Sequence, residues 1–117
     1  MEPEPILAWY SVRCVFVLES IGEDDYTYEE RITLWRSASA ESAMESAEQE
    51  ANDYAGAFHD KNSTMKYVGL AQCFRIADDL GIGVEIFSLM RDSALEPDEY
   101  ITRFFDNGGE RQMRIEE

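Results

Sequence analysis

Hydrophobic and polar residues alternate along two early stretches of the chain, and this period of two predicts β-strands. The stretches cover residues 8–18 and 26–36, and the polar segment between them contains Gly22, as is typical of a turn. We therefore predict an antiparallel β-hairpin. In the first stretch, one face carries Ala8, Tyr10, Val12, Cys14, Phe16 and Leu18, and the other carries Trp9, Ser11, Arg13, Val15 and Val17.

From Ser39 onward the spacing of apolar residues changes to 3.6, which predicts an amphipathic α-helix. Ser39 is the predicted N-cap, and Glu41 in the first turn suits the helix dipole. Gly56 and the polar residues 60–62 weaken and end the pattern. Because the apolar stripe is mostly alanine, we expect the helix to lie close to a sheet. The stripe consists of Ala40, Ala43, Met44, Ala47, Ala51, Tyr54, Ala55 and Phe58.

The second half of the chain predicts two more strands and a short helix. Residues 65–76 form the third predicted strand. Residues 84–91 form the fourth, and their apolar residues on both faces indicate an interior strand or one covered by a partner. A short helix then begins near Pro97, and the Gly108-Gly109 pair stops it.

These elements together predict an α+β fold with the order β-β-α-β-β-α. The expected architecture is a four-stranded antiparallel sheet with the helices packed on one face. A length of 117 residues fits one domain, so we assign residues 1–117 to a single unit. We expect residues 1–6 and 110–117 to be frayed.

Charge restricts the classes of partner. The chain has 25 Asp and Glu against 10 Lys and Arg, a formal net charge of -15. Such a surface is repelled by nucleic acids and anionic membranes, so we predict neither as a partner. The acidic beginning of the sequence lacks a secretion signal, and no apolar run approaches the ~20 residues of a membrane span. These features predict a cytoplasmic location.

The cysteines fit the same location. Cys14 and Cys73 each lie in an apolar, strand-like run, which is typical of buried free thiols in a reducing cytosol. A disulfide between neighbouring strands is an alternative that the sequence leaves open.

Five sequence blocks occur in an order that resembles a known family. The third block lies in the third predicted strand, and the fourth block begins with the fourth predicted strand. The blocks are W-Y-S-V-R (9–13), Y-E-E-R-I-T-L-W-R (28–36), Y-V-G-L-A-Q (67–72), V-E-I-F-S-L-M-R-D-S (84–93) and R-F-F-D (103–106). In this order, from about residue 9 to 112, the chain resembles the family of small bacterial proteins called domain of unknown function 4288. The resemblance implies a bacterial, cytosolic, stand-alone domain without an assigned activity, and it brings no functional residues with it.

The sequence offers little to a catalytic or metal-binding interpretation. Its single histidine, His59, lies beside Asp60 at the predicted helix end, and neither cysteine belongs to a C-x-x-C motif. A metal site needs several converging ligands, and an activated nucleophile needs a neighbouring base. We therefore predict no catalytic residue, metal or cofactor, and we lean towards a non-enzymatic protein.

The charged residues of the hairpin allow two interpretations. Glu30 lies on the apolar phase of its strand, so it is either paired or near an edge, because an unpaired buried charge is costly. The arginines can form cross-strand ion pairs and aromatic contacts on a solvated face. Alternatively, tryptophan and arginine side chains form a partner-binding patch, since both are enriched at interface hot spots. That patch comprises Trp9, Arg13, Arg31 and Trp35.

The leading functional hypothesis is an interaction module that binds a protein partner or self-associates through an open sheet face. One specific version is an immunity-like or antitoxin-like protein that masks a basic partner. The acidic helix residues Glu41, Glu45, Glu48 and Asp53 then either keep the protein soluble or attract that partner. The alternative hypothesis is a small-molecule-binding or weakly catalytic domain, with a cleft between helix and sheet and polar contacts from Glu30, Arg13 or Gln72.

Overall fold

The computed structural model describes residues 4–112 and confirms the α+β class. The three strands form one antiparallel sheet in the order β2-β1-β3, so β1 is central. The elements are β1 (Ala8–Ser20), β2 (Thr27–Ser37), α1 (Ala40–Gly56), β3 (Ser63–Arg75) and α2 (Pro97–Phe104).

The predicted hairpin is confirmed, and its register fixes which residues share a face. Tyr10 lies opposite Trp35, and Val17 lies opposite Tyr28. Directly opposed residues of an antiparallel pair point to the same side of the sheet. The other neighbour, β3, contains a bulge at Gly69, whose φ of 96° lies in the left-handed region that glycine tolerates.

The core lies between α1 and one face of the sheet. Every fourth residue of α1 is a buried alanine, and this smooth stripe lets the helix axis approach the strands closely. Phe16 is fully buried there, with its ring centre 5.1 Å from that of Tyr54 and 5.7 Å from that of Tyr67. The buried members of the core are Tyr10, Val12, Cys14, Phe16, Ala43, Ala47, Ala51 and Ala55.

The predicted start of the helix is confirmed. The Ser39 side chain accepts a hydrogen bond of 3.1 Å from the backbone N–H of Ser42. This contact satisfies one of the amide groups that the first turn leaves without an intrahelical partner. At the other end, the N–H of Ala57 bonds to the carbonyl of Asp53 at 3.0 Å, and the helix ends at Gly56.

The prediction of a fourth strand is wrong. Residues 84–91 have no strand conformation and follow a turn at Gly83, whose φ is 77°. They cross the sheet on the side opposite α1, where the ring of Phe87 lies 6.2 Å from that of Phe74. An apolar run can be buried within a sheet or against it, and periodicity alone does not distinguish the two. We call residues 84–91 the strap.

The prediction that the helices pack together on one face of the sheet is also wrong. Only α1 packs there, because no Cα atom of α2 comes within 8 Å of a Cα atom in the other helix or the strands. The second helix has no buried residue. We call residues 92–112, which include α2, the arm. Over residues 4–112, no helix is long and apolar enough to cross a membrane.

Candidate interaction surface

The sheet has two faces with different surroundings. The helix face is covered by α1, and the outer face points the other way. The strap covers only part of the outer face. Strand alternation and the registers assign the following residues to the outer face: Trp9, Ser11, Arg13, Val15, Val17 and Glu19 in β1, Tyr28, Glu30, Ile32, Leu34 and Arg36 in β2, and Thr64, Lys66, Val68, Leu70, Gln72 and Phe74 in β3.

Arg13 forms the polar centre of the outer face. Its Nε donates a hydrogen bond of 2.7 Å to Oε1 of Gln72 on β3, and Nη2 donates to the same oxygen. On the other side, Nη1 lies 3.3 Å from Oε1 of Glu30 on β2. The side chain of Glu30 is 63% exposed, so this ion pair is screened by water. One guanidinium therefore links all three strands.

The strap is held over one end of the outer face by two contacts with β1. The hydroxyl of the buried Ser11 donates a hydrogen bond to the backbone carbonyl of Ile86. The ring of Phe87 lies over the guanidinium of Arg13, with 5.0 Å between Cζ and the ring centre. This is cation–π geometry. The strap therefore satisfies a buried hydroxyl and covers an arginine that would otherwise face solvent.

The four residues predicted as a partner-binding patch do not lie together. Trp9 and Arg13 belong to the outer face, whereas Arg31 and Trp35 belong to the helix face. The more apolar phase of β2, with Tyr28, Ile32 and Leu34, lies on the outer face beside the less apolar phase of β1, so matching the phases by hydrophobicity gives the wrong grouping. Whether any of the four binds a partner stays a prediction.

Arg31 and Trp35, the two predicted patch residues on the helix face, contact other residues of the same chain. Arg31 forms a salt bridge of 2.7 Å with Glu50 of α1, and its Cζ lies 3.8 Å from the ring centre of Tyr54. Trp35 packs against the core and donates from its indole nitrogen to Thr33 at 2.7 Å. Both side chains therefore help to fix α1 and β2 relative to each other.

The acidic residues of α1 divide into two groups, a division that the sequence pattern did not show. Glu41, Glu45 and Asp53 are exposed, as predicted for the acidic helix face, but the prediction is wrong for Glu48. Glu48 and Glu50 are half-buried and face the sheet, where Tyr67 donates a hydrogen bond to Glu48 and Arg31 pairs with Glu50. The pairing of Tyr67 with Glu48 and of Arg31 with Glu50 arises only when the helix packs on the sheet.

The same packing changes the acidity of the tyrosines. Two effects raise the pKa of Tyr67 well above its ordinary value: burial, which is the larger, and the hydrogen bond to Glu48. Tyr54 donates a hydrogen bond of 2.7 Å to Glu29, and burial together with this bond raises its pKa as well. Each phenol is therefore kept protonated as a donor to a carboxylate.

Both thiols are free, and their burial disfavours the thiolate form. Cys14 is buried in the core and Cys73 is half-buried on the adjacent strand. Burial raises the pKa of both thiols above the ordinary value of 9.0. Because the thiolate is the nucleophile, neither cysteine is prepared for covalent catalysis.

The remaining polar residues do not converge on a chemical centre. His59 is exposed at the end of α1, where it lines a shallow cleft with Asp60 and Lys61. In the described part of the chain, no three His, Cys, Asp or Glu side chains are arranged to hold a metal ion. Glu30 and Gln72 meet at Arg13, but on the outer face, so they do not line a cleft between α1 and the sheet.

Apolar side chains remain exposed on the outer face beyond the strap. Ile32 and Leu34 of β2 are 44% and 43% exposed, and Leu70 of β3 is 49% exposed. They lie on both sides of β1, with Val15 between them. Sequence reasoning missed this surface because it expected tryptophan and arginine, not aliphatic residues, to form the patch.

These features define a small α+β domain with one helix-covered sheet face and one partly uncovered face. The chain belongs to the family described as Domain of unknown function (DUF4288), whose family model matches residues 9–88. The match includes all three strands, α1 and part of the strap. It ends before the arm, although the resemblance was expected to extend to about residue 112 and its last block covers residues 103–106. No curated protein and no solved structure matches the chain.

Proposed function

We propose that this protein is a non-enzymatic interaction module that binds a polypeptide on the outer face of its sheet. The observation that carries the proposal is the group of half-exposed aliphatic residues Ile32, Leu34 and Leu70. Clustered apolar surface of this kind on a small protein marks an interaction site, whereas isolated exposed residues do not.

The polar groups of the outer face support a polypeptide more than a small ligand. The Arg13 guanidinium is already bonded to Gln72, paired with Glu30 and covered by Phe87. A small-molecule site normally offers a concave pocket with polar groups that await a ligand. Here those groups are satisfied internally. Glu30 also lines a cleft of 810 Å³ beside the arm, whereas the surface around Ile32, Leu34 and Leu70 is an open sheet face. The geometry therefore does not favour the small-molecule alternative.

A more specific form of the proposal is an immunity-like or antitoxin-like protein that masks a basic partner in the bacterial cytosol. The net charge of -15 and the exposed acidic residues Glu41, Glu45 and Asp53 support this form. A negative surface raises the association rate of a positive partner. In this form α1 attracts the partner and the outer face binds it.

Site-specific photo-crosslinking inside cells tests the proposal. A benzophenone amino acid is placed at Leu34 on the outer face in one variant and at Glu45 on the exposed side of α1 in another. We expect one dominant adduct from position 34, identified by mass spectrometry, and weak labelling from position 45. No adduct at position 34 contradicts the proposal. A dominant adduct at position 45 alone assigns the binding site to α1 and also contradicts it.

A further inference from the structure

The arm is an unusual segment because it exposes large apolar side chains. It contacts the strap through Arg91, which donates a hydrogen bond of 3.1 Å to the hydroxyl of Tyr100 and lies 4.5 Å from the ring centre of Phe104. Ile101 is 50% exposed and Phe105 is 59% exposed. Phe105 follows the last residue of α2 and donates its backbone N–H to the carbonyl of Ile101 at 2.9 Å, so the two residues lie one turn apart. A helix of eight residues is not stable by itself in water, so α2 needs a surface to pack against. No Cα atom of a strand or of α1 comes within 8 Å of one in α2, so none of these elements packs closely against it.

The exposed area of the chain is large for its mass. The accessible surface is 9682 Å², whereas a compact monomer of 13.4 kDa exposes about 6,500 Å². The eight terminal residues outside the described range account for at most about 1,500 Å², the exposure of an unfolded segment of that mass. The described residues therefore expose about 1,700 Å² more surface than a compact monomer of this mass. Obligate homodimers bury about 1,000–2,500 Å² per chain, so the excess has the size of such an interface.

Charge indicates what covers the arm. The arm carries six acidic and two basic residues, a balance of -4. The outer face carries three basic residues (Arg13, Arg36, Lys66) and two acidic ones (Glu19, Glu30), a balance of +1 in a chain of -15. The exposed acidic residues of α1 lie on the opposite side of the sheet. The outer face is therefore the one sheet surface that attracts the arm.

The arm of the same chain meets this surface at one end, where Tyr28 and Glu30 lie. Its residues Phe104 and Asn107 line a cleft of 810 Å³ together with Tyr26 and Tyr28, near the end of the sheet where β1 connects to β2. The outer face around Ile32 and Leu70 is thus left to another chain. A second copy supplies an acidic, apolar arm of complementary character, and a two-fold axis lets both arms be covered at once.

We propose that two copies of this chain form a dimer in which the arm of each copy covers the outer face of the other. Ile101 and Phe105 of one copy pack on the aliphatic residues Ile32, Leu34 and Leu70 of its partner. This inference rests on the proposed function and names a second copy as the bound polypeptide.

A complementation experiment tests the exchange of arms. The full-length wild type is expected to have twice the molar mass of one chain in size-exclusion chromatography with light scattering. Ile32→Glu damages both outer faces, and Ile101→Glu damages both arms, so each variant alone is expected to weaken dimerisation at least about tenfold. A mixture of the two variants retains one intact arm-and-face pair and is expected to form a heterodimer. Ile21→Glu, in the loop after β1, is the matched control and should remain dimeric.

Other results overturn the inference. A monomeric wild type, whether its arm is free or folded onto its own sheet, excludes a second copy as the occupant. If both variants lose the dimer and the mixture does not restore it, each arm contacts the other arm and each outer face contacts the other face, which excludes the exchange of arms. The proposed function fails separately. If position 34 crosslinks to a different protein, the outer face still binds a polypeptide but the dimer inference is wrong, and no crosslink at all contradicts both.

Discussion

The guanidinium carbon of Arg13 lies 5.0 Å from the centre of the Phe87 ring, which joins the central strand to a segment 74 residues further along the chain. This contact explains why residues 84–91 cross the sheet. Phe87 gains a cation and the ring of Phe74 as neighbours, and the strap covers one end of the outer face. The remaining part of that face is the surface on which both proposals depend.

Loss of the Arg13 side chain should release the strap. We expect Arg13→Ala to lower the free energy of unfolding by about 1–3 kcal/mol, because the bonds to Gln72 and the contact with Phe87 are lost together. Hydrogen exchange should accelerate in residues 84–91 in particular. Arg75→Ala, an exposed arginine on β3, is the matched control and should leave the strap protected.

The ion pair with Glu30 should contribute far less. Because the Glu30 side chain is 63% exposed, Glu30→Gln is expected to change the free energy of unfolding by less than about 0.5 kcal/mol. Urea unfolding of both variants separates the two contributions. A larger effect from Glu30→Gln than from Arg13→Ala would contradict the assignment of the strap contact to Arg13.

The alanine stripe of α1 should tolerate no enlargement. Ala47 is fully buried against the sheet, so Ala47→Leu forces the helix away from the strands. We expect it to lower the free energy of unfolding by about 1–3 kcal/mol. Gln49→Leu adds a leucine to an exposed position of the same helix and should change it by less than about 0.5 kcal/mol. Equal effects in thermal unfolding would show that the stripe does not set the distance between helix and sheet.

Stability should decrease in alkali because of Tyr67. Its raised pKa means that the folded protein keeps the phenolic proton at a pH where the unfolded chain, with a pKa near the ordinary 10.0, releases it. The free energy of unfolding is therefore highest below about pH 10 and falls as the pH rises above that value. Urea unfolding between about pH 8 and pH 11 measures this decrease.

Removal of the Tyr67 hydroxyl should lower the free energy of unfolding at neutral pH and also weaken its dependence on pH in alkali. We expect Tyr67→Phe to lose about 1–2 kcal/mol at neutral pH, because Glu48 loses a donor, and to make the alkaline decrease shallower. Tyr28→Phe removes a hydroxyl from the exposed side of β2 and is the control. An alkaline decrease that is identical in wild type and Tyr67→Phe would show that another group causes it.

The two thiols should react slowly in the native state. Burial raises the pKa of Cys14 and Cys73, so little thiolate is present near pH 8. We expect a disulfide reagent such as Ellman's to label both thiols at least about tenfold more slowly than in urea. Labelling of Cys14 as fast in the native protein as in urea would contradict its burial in the core.

The candidate surface was predicted only in part. Reasoning from the sequence placed Arg13, Glu30 and Gln72 among the residues of interest, and the structure brings these three together in one polar group. It also grouped Arg31 and Trp35 with Arg13, whereas the register places them on the helix face. A shift of one residue between two strands exchanges their faces, and the apolar phase of β2 lies on the outer face, opposite to what hydrophobicity alone indicates.

Local patterns determined the elements. The period of two gives the hairpin, the period of 3.6 gives α1, and Ser39 marks its start, because these features depend on residues close together in the sequence. Tertiary structure decided the rest: the pairing of β3 with β1, the path of residues 84–91 across the sheet, and the partners of Glu48 and Glu50. Each of these depends on which distant surfaces provide more burial and better hydrogen bonds. A sequence pattern indicates that a side chain is buried, but it does not indicate which surface buries it.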